Sequence, residues 1–400
     1  EMLRSLVGSE MCIRDSPTRS AFAMRIETLR TYVVNGLRAN HVFVEIGTDA
    51  GIVGYGEGTV EFRELAVEAA IHHAAGYLVG QDPFRIALHV ERLTRESYWR
   101  TGVMLRSALS AIEVALHDIK ARALGIPVYD LLGGRARDDV RCYANAWFGT
   151  AKTPDEFAQA ARETVADGFV ALKFDPFDKA WGTPDRAELI AAYDRVAAVR
   201  DAVGDEVEIM IDGHGRFEVA TAITVSRELA AFRPYWFEEP VSPEDIASLV
   251  QVRRRSPIPI AAGERIYERS RFIELVEREA VDFLQPDISH VGGLNEALLI
   301  AGHAWARGIP VVPHNAIGPL NAAATLHFAA AAPAFPWLET FVRKEPFIPP
   351  WRDEYVTGEV LAKNGRIVIP DAPGLGVTLH PEGCLAHPYT PRNVQHFRRE

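Results

Sequence analysis

The chain has 400 residues, a formal net charge of −11 and a hydrophobic fraction of 48%. This length exceeds one ordinary core, so we expect two domains or one large barrel with a cap. The acidic balance argues against a nucleic-acid partner, which binds to basic surfaces, and the apolar runs are too short for a membrane span. The cysteines are too few for a disulfide scaffold, so we expect reduced thiols and a cytoplasmic protein; they are Cys12, Cys142 and Cys384.

Residues 1–23 show neither a helical nor a strand period. They also lack the long apolar core of a secretory signal. We interpret them as a non-native or disordered leader and expect the fold to begin at Met24, where a strand-like run follows at once.

Residues 24–139 are predicted to form an α+β domain. Two apolar runs flank the turn at 49–51, which predicts a β-hairpin. A helical period follows and is clearest over residues 107–124, where Gly125 and Pro127 should end the helix.

Residues 140–350 change to short apolar strands that alternate with amphipathic helices. Eight such strands, mostly separated by helices, are typical of a (β/α) barrel rather than an open sheet. The remaining segment, 351–400, is irregular and strand-like, so we expect it to pack back on the first domain. The eight predicted strands lie within residues 140–147, 169–175, 207–215, 235–240, 258–264, 283–290, 309–315 and 337–341.

Polar side chains occupy the ends of these strands, and in a barrel all the carboxyl ends surround one mouth. Asp212, Glu238 and Glu264 follow three successive strands at intervals of 26 residues. Three carboxylates aimed at one point would repel each other unless a divalent cation lay among them. Hard oxygen ligands with room for water suit Mg²⁺, so we predict a magnesium site here.

Asp287 and His314 follow the next two strand positions and are 27 residues apart. A carboxylate beside an imidazole orients the ring, fixes its tautomer and raises its basicity. This pair is therefore the candidate general base, and we expect it to lie across from the metal ligands.

The strand-end motifs together resemble the enolase superfamily, in particular its mandelate racemase subgroup. The resemblance implies an α/β fold: a modified TIM barrel, (β/α)7β, with an N-terminal α+β capping domain that the C-terminal segment completes. The motifs are Lys-x-Asp at 173–175, Asp-x-His at 212–214, Glu-Glu-Pro at 238–240, Gly-Glu-Arg at 263–265, Gln-Pro-Asp at 285–287, Pro-His-Asn at 313–315 and Pro-Gly-Leu-Gly at 373–376.

The resemblance also implies roles for the polar residues. The three carboxylates would hold Mg²⁺, and a small-molecule substrate carboxylate would bind there with Lys173 and Glu339 close by. His314 would remove the proton on the carbon next to that carboxylate. Asp175 stands where racemase-like members have a second lysine, which argues against a two-base racemase.

His214 lies between two glycines in a run that resembles the galactonate dehydratase-like branch of the family. There, the matching histidine would protonate a leaving hydroxyl on C3 of a sugar acid, so that a 2-keto-3-deoxy acid forms. We therefore predict an acid-sugar dehydratase, a hydro-lyase. Two alternatives remain open: an epimerase, racemase or cycloisomerase of the same subgroup, and a non-catalytic protein that binds sugar acids.

The remaining predictions concern substrate contacts and assembly. Loops 48–61 and 95–105 of the capping domain are the expected readers of distal hydroxyls, and a homo-oligomer is expected because family members are often multimeric. The candidate substrate-binding residues are Asp175, Asn145, Arg265, His290 and Asn315.

Overall fold

The computed structural model describes residues 24–342 and 347–392, so the predicted leader and Cys12 lie outside the described residues. The capping domain contains a three-stranded sheet followed by helices. Its elements are β1 (Ile26–Asn35), β2 (Asn40–Thr48), β3 (Val53–Glu57), α1 (Glu64–Leu78), α2 (Ile86–Thr94), α3 (Val103–Leu124) and α4 (Val128–Leu131).

The predicted hairpin is β2–β3, and β1 pairs antiparallel with β2 on its other side. Helix α3 begins four residues before the predicted helix and ends at Gly125, whose φ of 69° is left-handed. The helix lies against β3 because of two glycines. A Cβ at Gly54 would lie 2.2 Å from the Ala115 carbonyl oxygen, and one at Gly56 would lie 2.0 Å from that of Ala111.

The second part of the chain is the predicted barrel, in which short parallel strands alternate with helices. Its elements are β4 (Asp139–Asn145), α5 (Pro154–Ala166), β5 (Ala171–Phe174), α6 (Arg186–Val203), β6 (Glu208–Asp212), α7 (Val219–Leu229), a 3₁₀ turn (Ala230–Phe232), β7 (Trp236–Glu238), α8 (Ile246–Arg253), β8 (Ile260–Ala262), α9 (Arg269–Glu277), β9 (Phe283–Leu284), α10 (Leu294–Ala306), α11 (Pro319–Ala331) and β10 (Leu338–Phe341).

Strands β4 to β9 pair in chain order, and β10 pairs parallel with β4. The strand predicted over residues 309–315 is reduced to single bridges, between Leu284 and Val311 and between Asp287 and His314. Pro310 and Pro313 explain this difference, because proline has no N–H to donate to a ladder. The (β/α)7β fold class is confirmed, with this position as its weakest strand.

Seven side chains fill the barrel interior below the strand ends, so the barrel has a packed core and not a pore. Trp236 and Tyr143 are fully buried there, with their ring centroids 5.5 Å apart. The other members of this cluster are Ala171, Met210, Ala261, Val312 and Trp337.

The C-terminal segment contacts both parts of the chain. Asn40 in β2 exchanges two hydrogen bonds with the backbone of Thr390, at 3.1 Å and 3.0 Å. The segment also adds a strand to the barrel, which was not expected: β12 pairs antiparallel with β4. Its elements are α12 (Arg352–Tyr355), β11 (Val356–Thr357), β12 (Arg366–Val368), β13 (Thr378–Leu379) and α13 (Pro381–Ala386).

Within the described ranges, none of the helices combines the length and the apolar character needed to cross a membrane. The domain boundaries at residues 139 and 350 remain predictions.

Candidate active site

Three buried carboxylates meet at the barrel mouth. Asp212 ends β6, Glu238 ends β7 and Glu264 follows β8, and one oxygen from each lies within 4.8 Å of the others. Burial, together with the charges of Asp212 and Glu264, raises the pKa of Glu238 to about 8, although Lys173 opposes this shift. Such a cluster of hard oxygen donors, close enough together to share one ion, fits a divalent cation.

Lys173 is the cation that the protein itself supplies to this cluster. Its side chain on β5 is buried, and Nζ lies 2.8 Å from Glu238 Oε1 and 2.9 Å from Glu339 Oε1. Asp212 Oδ2 lies 3.5 Å away. Lys173 therefore connects the carboxylate cluster to Glu339 on β10.

Asp287 and His314 form the predicted pair. His314 Nδ1 lies 2.6 Å from Asp287 Oδ2, while Nε2 faces the carboxylate cluster, 3.5 Å from Glu264 Oε2. Burial alone would lower the pKa of His314, but the charge of Glu264 and the hydrogen bond to Asp287 raise it to about 10. Neutralising Glu264 with a cation would lower this pKa and free Nε2 to accept a proton.

His214 and Asp175 form a second pair of the same kind. His214 Nδ1 lies 3.0 Å from Asp175 Oδ2, and Nε2 lies 3.4 Å from Asp212 Oδ2. Burial opposes ionisation of this ring, but the Asp212 charge and the Asp175 hydrogen bond raise the pKa of His214 to about 9. At neutral pH this histidine therefore holds a proton that it can donate.

The backbone at His214 is strained, with a left-handed φ of 48°. A bond of 2.9 Å from its N–H to Asp212 Oδ1 holds it in place. The strained turn places the imidazole beside the three carboxylates, with Nε2 3.4 Å from Asp212 Oδ2.

Asp175, predicted to bind substrate, has other partners in the structure. Besides His214, its carboxylate accepts a hydrogen bond from the buried guanidinium of Arg216. These contacts favour a role in orienting His214.

Asn145 and Asn315, which were predicted to bind substrate, form hydrogen bonds to Glu339. Asn145 Nδ2 donates to Glu339 Oε1 at 2.8 Å. The Asn315 N–H donates to Glu339 Oε2 at 2.8 Å, and its side-chain amide donates to the Glu339 carbonyl at 3.0 Å. Their contacts therefore hold the buried carboxylate of Glu339 in place.

Arg265 and His290 lie at the edge of the site. Arg265 Nε donates to Glu239 Oε2 at 2.7 Å and lies 3.7 Å from Glu264 Oε1. His290 Nδ1 lies 2.9 Å from the Ser107 hydroxyl of α3. The contact of both side chains with substrate remains a prediction.

Both predicted reader loops contact the barrel part of the chain, the first through Glu57 and Asn321, and their contact with substrate remains a prediction. Arg38, in the turn between β1 and β2, pairs with Glu61 and donates to the Ala316 carbonyl at 3.1 Å. In the second loop, the Thr101 hydroxyl donates to Glu268 Oε1 at 2.6 Å. The capping domain thus lies beside the residues that follow His314 and Glu264.

Three residues in the site were not predicted. Trp236 Nε1 donates to Glu238 Oε2 at 3.0 Å, Arg216 holds Asp175, and Glu239 holds Arg265. Trp236 could have been found, because residues two apart on a strand share a face. The contact between Arg216 and Asp175 depends on the fold, and no pattern along the chain indicates it.

Comparisons with known proteins agree with this geometry. The family described as enolase C-terminal domain-like matches residues 156–383, and the mandelate racemase / muconate lactonizing enzyme N-terminal domain matches residues 14–133. The second match begins ten residues before Met24.

Curated relatives include a D-galactonate dehydratase from Ralstonia nicotianae, 41% identical over 76% of this chain and 78% of its own. A D-gluconate dehydratase from Thermoproteus tenax is 36% identical over 85% of this chain and 68% of its own.

Solved structures are similar as well. An enolase superfamily member from Salmonella Typhimurium matches with a TM-score of 0.86 and 30% identity, covering 91% of this chain and 98% of that one. A mandelate racemase/muconate lactonizing enzyme from Jannaschia sp. CCS1 matches with a TM-score of 0.84 and 30% identity, over 92% and 99% of the two chains.

Proposed function

Because this chain belongs to the enolase superfamily, in the mandelate racemase and muconate lactonizing enzyme group, we propose that it dehydrates aldonic acids with the help of Mg²⁺. It is an acid-sugar dehydratase, a hydro-lyase, as are the relatives that match most of its length. Beyond the dehydratase activity, we propose that the metal is Mg²⁺, that the substrates are aldonic acids, and that each site residue has the role given below.

The observation that carries the proposal is that two Asp–His pairs lie at opposite ends of the carboxylate cluster. His314 Nε2 lies beside Glu264, and His214 Nε2 lies beside Asp212, at 3.5 Å and 3.4 Å. One imidazole can remove a proton while the other donates one, which is what the loss of water from neighbouring carbons requires.

The reaction then follows from the positions of these groups. His314 Nε2 accepts the proton on C2, and Asp287 stabilises the imidazolium that forms. His214 Nε2 gives its proton to the C3 hydroxyl, which leaves as water when the C3–O bond breaks. The resulting enol loses the proton of its C2 hydroxyl and takes up a proton at C3, which gives the 2-keto-3-deoxy acid.

The metal contributes electrostatically. Bound by Asp212, Glu238 and Glu264, Mg²⁺ would supply positive charge where negative charge develops on the substrate carboxylate. Lys173 adds a second fixed positive charge, 2.8 Å from Glu238. The preference for Mg²⁺ rests on the all-oxygen ligand set.

We further propose a cytoplasmic homo-oligomer. The described cysteines, Cys142 and Cys384, are buried and free, as expected of a protein from a reducing compartment. Size-exclusion chromatography with light scattering tests the oligomer, and fractionation of the source cells tests the location.

Epimerisation is the rival, because two facing histidines could also exchange one proton at C2. The test is a library of aldonic and aldaric acids with Mg²⁺ in D₂O. Dehydration gives a 2-keto acid that reacts with semicarbazide, whereas epimerisation exchanges the C2 proton and gives no keto acid. His314→Asn should abolish both signals, and unchanged turnover in this variant would contradict the assignment of the base.

A further inference from the structure

The carboxylate of Asp287 has a second side-chain partner besides the base. Asp287 Oδ2 accepts from His314 at 2.6 Å, and Oδ1 accepts from the Ser289 N–H at 2.7 Å and from Asn321 Nδ2 at 3.3 Å. Asn321 is 2% exposed and belongs to helix α11. Its amide therefore acts on the side of Asp287 that faces away from His314.

Asn321 is in turn held by the capping domain. Its backbone N–H donates at 2.9 Å to Oε2 of Glu57, the last residue of β3, and the Thr59 hydroxyl donates to Glu57 Oε1 at 2.9 Å. Helix α11 begins after Gly318, which offers no capping side chain, so a carboxylate from another domain occupies its N-terminus. A Cβ at Gly318 would lie 2.2 Å from Glu57 Oε1, so only glycine admits this carboxylate.

Hydrogen bonds thus connect Glu57 of the capping domain, through Asn321 at the N-terminus of α11, to the Asp287–His314 pair. We propose that Asn321 is a positioning residue for the Asp287–His314 pair, and that Glu57 fixes Asn321 in place when the capping domain lies on the barrel. The inference rests on the proposed function only for the role of His314 as base. Its physical content is that docking of the capping domain sets the geometry of the general base.

A second carboxylate of the capping domain provides a matched control. Glu113 on α3 accepts from the N–H groups of Leu294 and Asn295, at 2.9 Å and 3.0 Å, at the N-terminus of α10. Helix α10 begins directly after another glycine, Gly293, which also lacks a capping side chain. Glu113 therefore docks the domain in the same way as Glu57, but among the described residues its hydrogen-bond partners Leu294 and Asn295 make no hydrogen bond to Asp287.

The experiment compares these two carboxylates and the amide between them. Asn321→Leu and Asn321→Ala should lower kcat about tenfold or more, as is usual for a residue that orients an active-site ligand, and KM should change less than about twofold because Asn321 does not touch substrate. Glu57→Ala should match them, whereas Glu57→Gln keeps an acceptor and should retain more than about half of kcat. Glu113→Ala should melt earlier and keep its kcat.

Two further measurements separate positioning of the base from a general loss of folding, and the second of them needs no substrate. The variant with both Asn321→Leu and Glu57→Ala should lose no more activity than either single variant, because both act through one contact. The low-field NMR signal of the His314 Nδ1 proton, identified by its absence in His314→Asn, should shift in Asn321→Leu and stay unchanged in Glu113→Ala.

Unchanged kcat and an unchanged low-field signal in both Asn321 variants would overturn the inference. So would a loss of kcat in Glu113→Ala equal to that in Glu57→Ala, because general docking would then explain both. If His314→Asn keeps full turnover, the proposed function fails instead, and the NMR signal still reports whether Asn321 sets the geometry of the pair.

Discussion

Replacing His214 with asparagine should separate the two halves of the reaction. Burial opposes ionisation of His214, but the charge of Asp212 and the hydrogen bond to Asp175 raise its pKa, which favours the protonated ring that a general acid needs. Losing a general acid costs about 10²–10⁴-fold in rate, which corresponds to a barrier about 3–5 kcal/mol higher. Dehydration should fall by that factor.

Removal of the C2 proton should survive the same change. His314 lies at the Glu264 end of the carboxylate cluster, and His214 lies at the Asp212 end. In D₂O with Mg²⁺, proton NMR should therefore show His214→Asn exchanging C2–H of the remaining substrate, while keto acid forms slowly. The wild type, measured in parallel, forms keto acid.

Two results would refute this reasoning. Unchanged keto-acid formation in His214→Asn would mean that another group protonates the leaving hydroxyl. An equal loss of exchange and of dehydration would mean that His214 supports the whole site, for example by holding Asp212. A calorimetric titration with Mg²⁺ distinguishes the second case, because the affinity of the variant would then fall as well.

Three further predictions follow from the same contacts. Asp175→Asn weakens the hydrogen bond that raises the pKa of His214. The alkaline limb of the dehydration rate, where His214 loses its proton, should therefore move to lower pH. A limb that stays in place contradicts the orienting role of Asp175. Chelation of divalent ions should abolish turnover and Mg²⁺ should restore it, while Glu264→Gln should need more Mg²⁺ in a calorimetric titration. Lys173→Met leaves buried carboxylates without their cation and should cost about 3–5 kcal/mol in urea unfolding of the metal-free protein, and Mg²⁺ should recover part of this loss.

The sequence is most informative where a functional residue ends a strand. Asp212, Glu238 and Glu264 could be predicted to meet because parallel barrel strands place their carboxyl ends around one mouth. Because the three residues occupy the same position in successive β/α units, their side chains lie close together in the structure.

Contacts between side chains from different elements could not be predicted in the same way. The sequence shows Asp175 as an acid where a lysine was expected, but its pairing with His214 and Arg216 depends on how β5 and the turn after β6 lie together. The helix N-termini at Gly293 and Gly318 are similar cases. Sequence rules look for a capping side chain within the helix's own segment, whereas both caps come from another domain.

The last residues of the chain complete the part of the protein that is synthesised first. Thr390 bonds twice to Asn40, a separation of 350 residues, and contacts so distant in sequence form late because closing the loop costs entropy before the contact forms. A chain still on the ribosome can form the barrel strands but cannot complete the capping domain. The carboxylates at residues 212, 238 and 264 can therefore come together before Thr390 reaches Asn40.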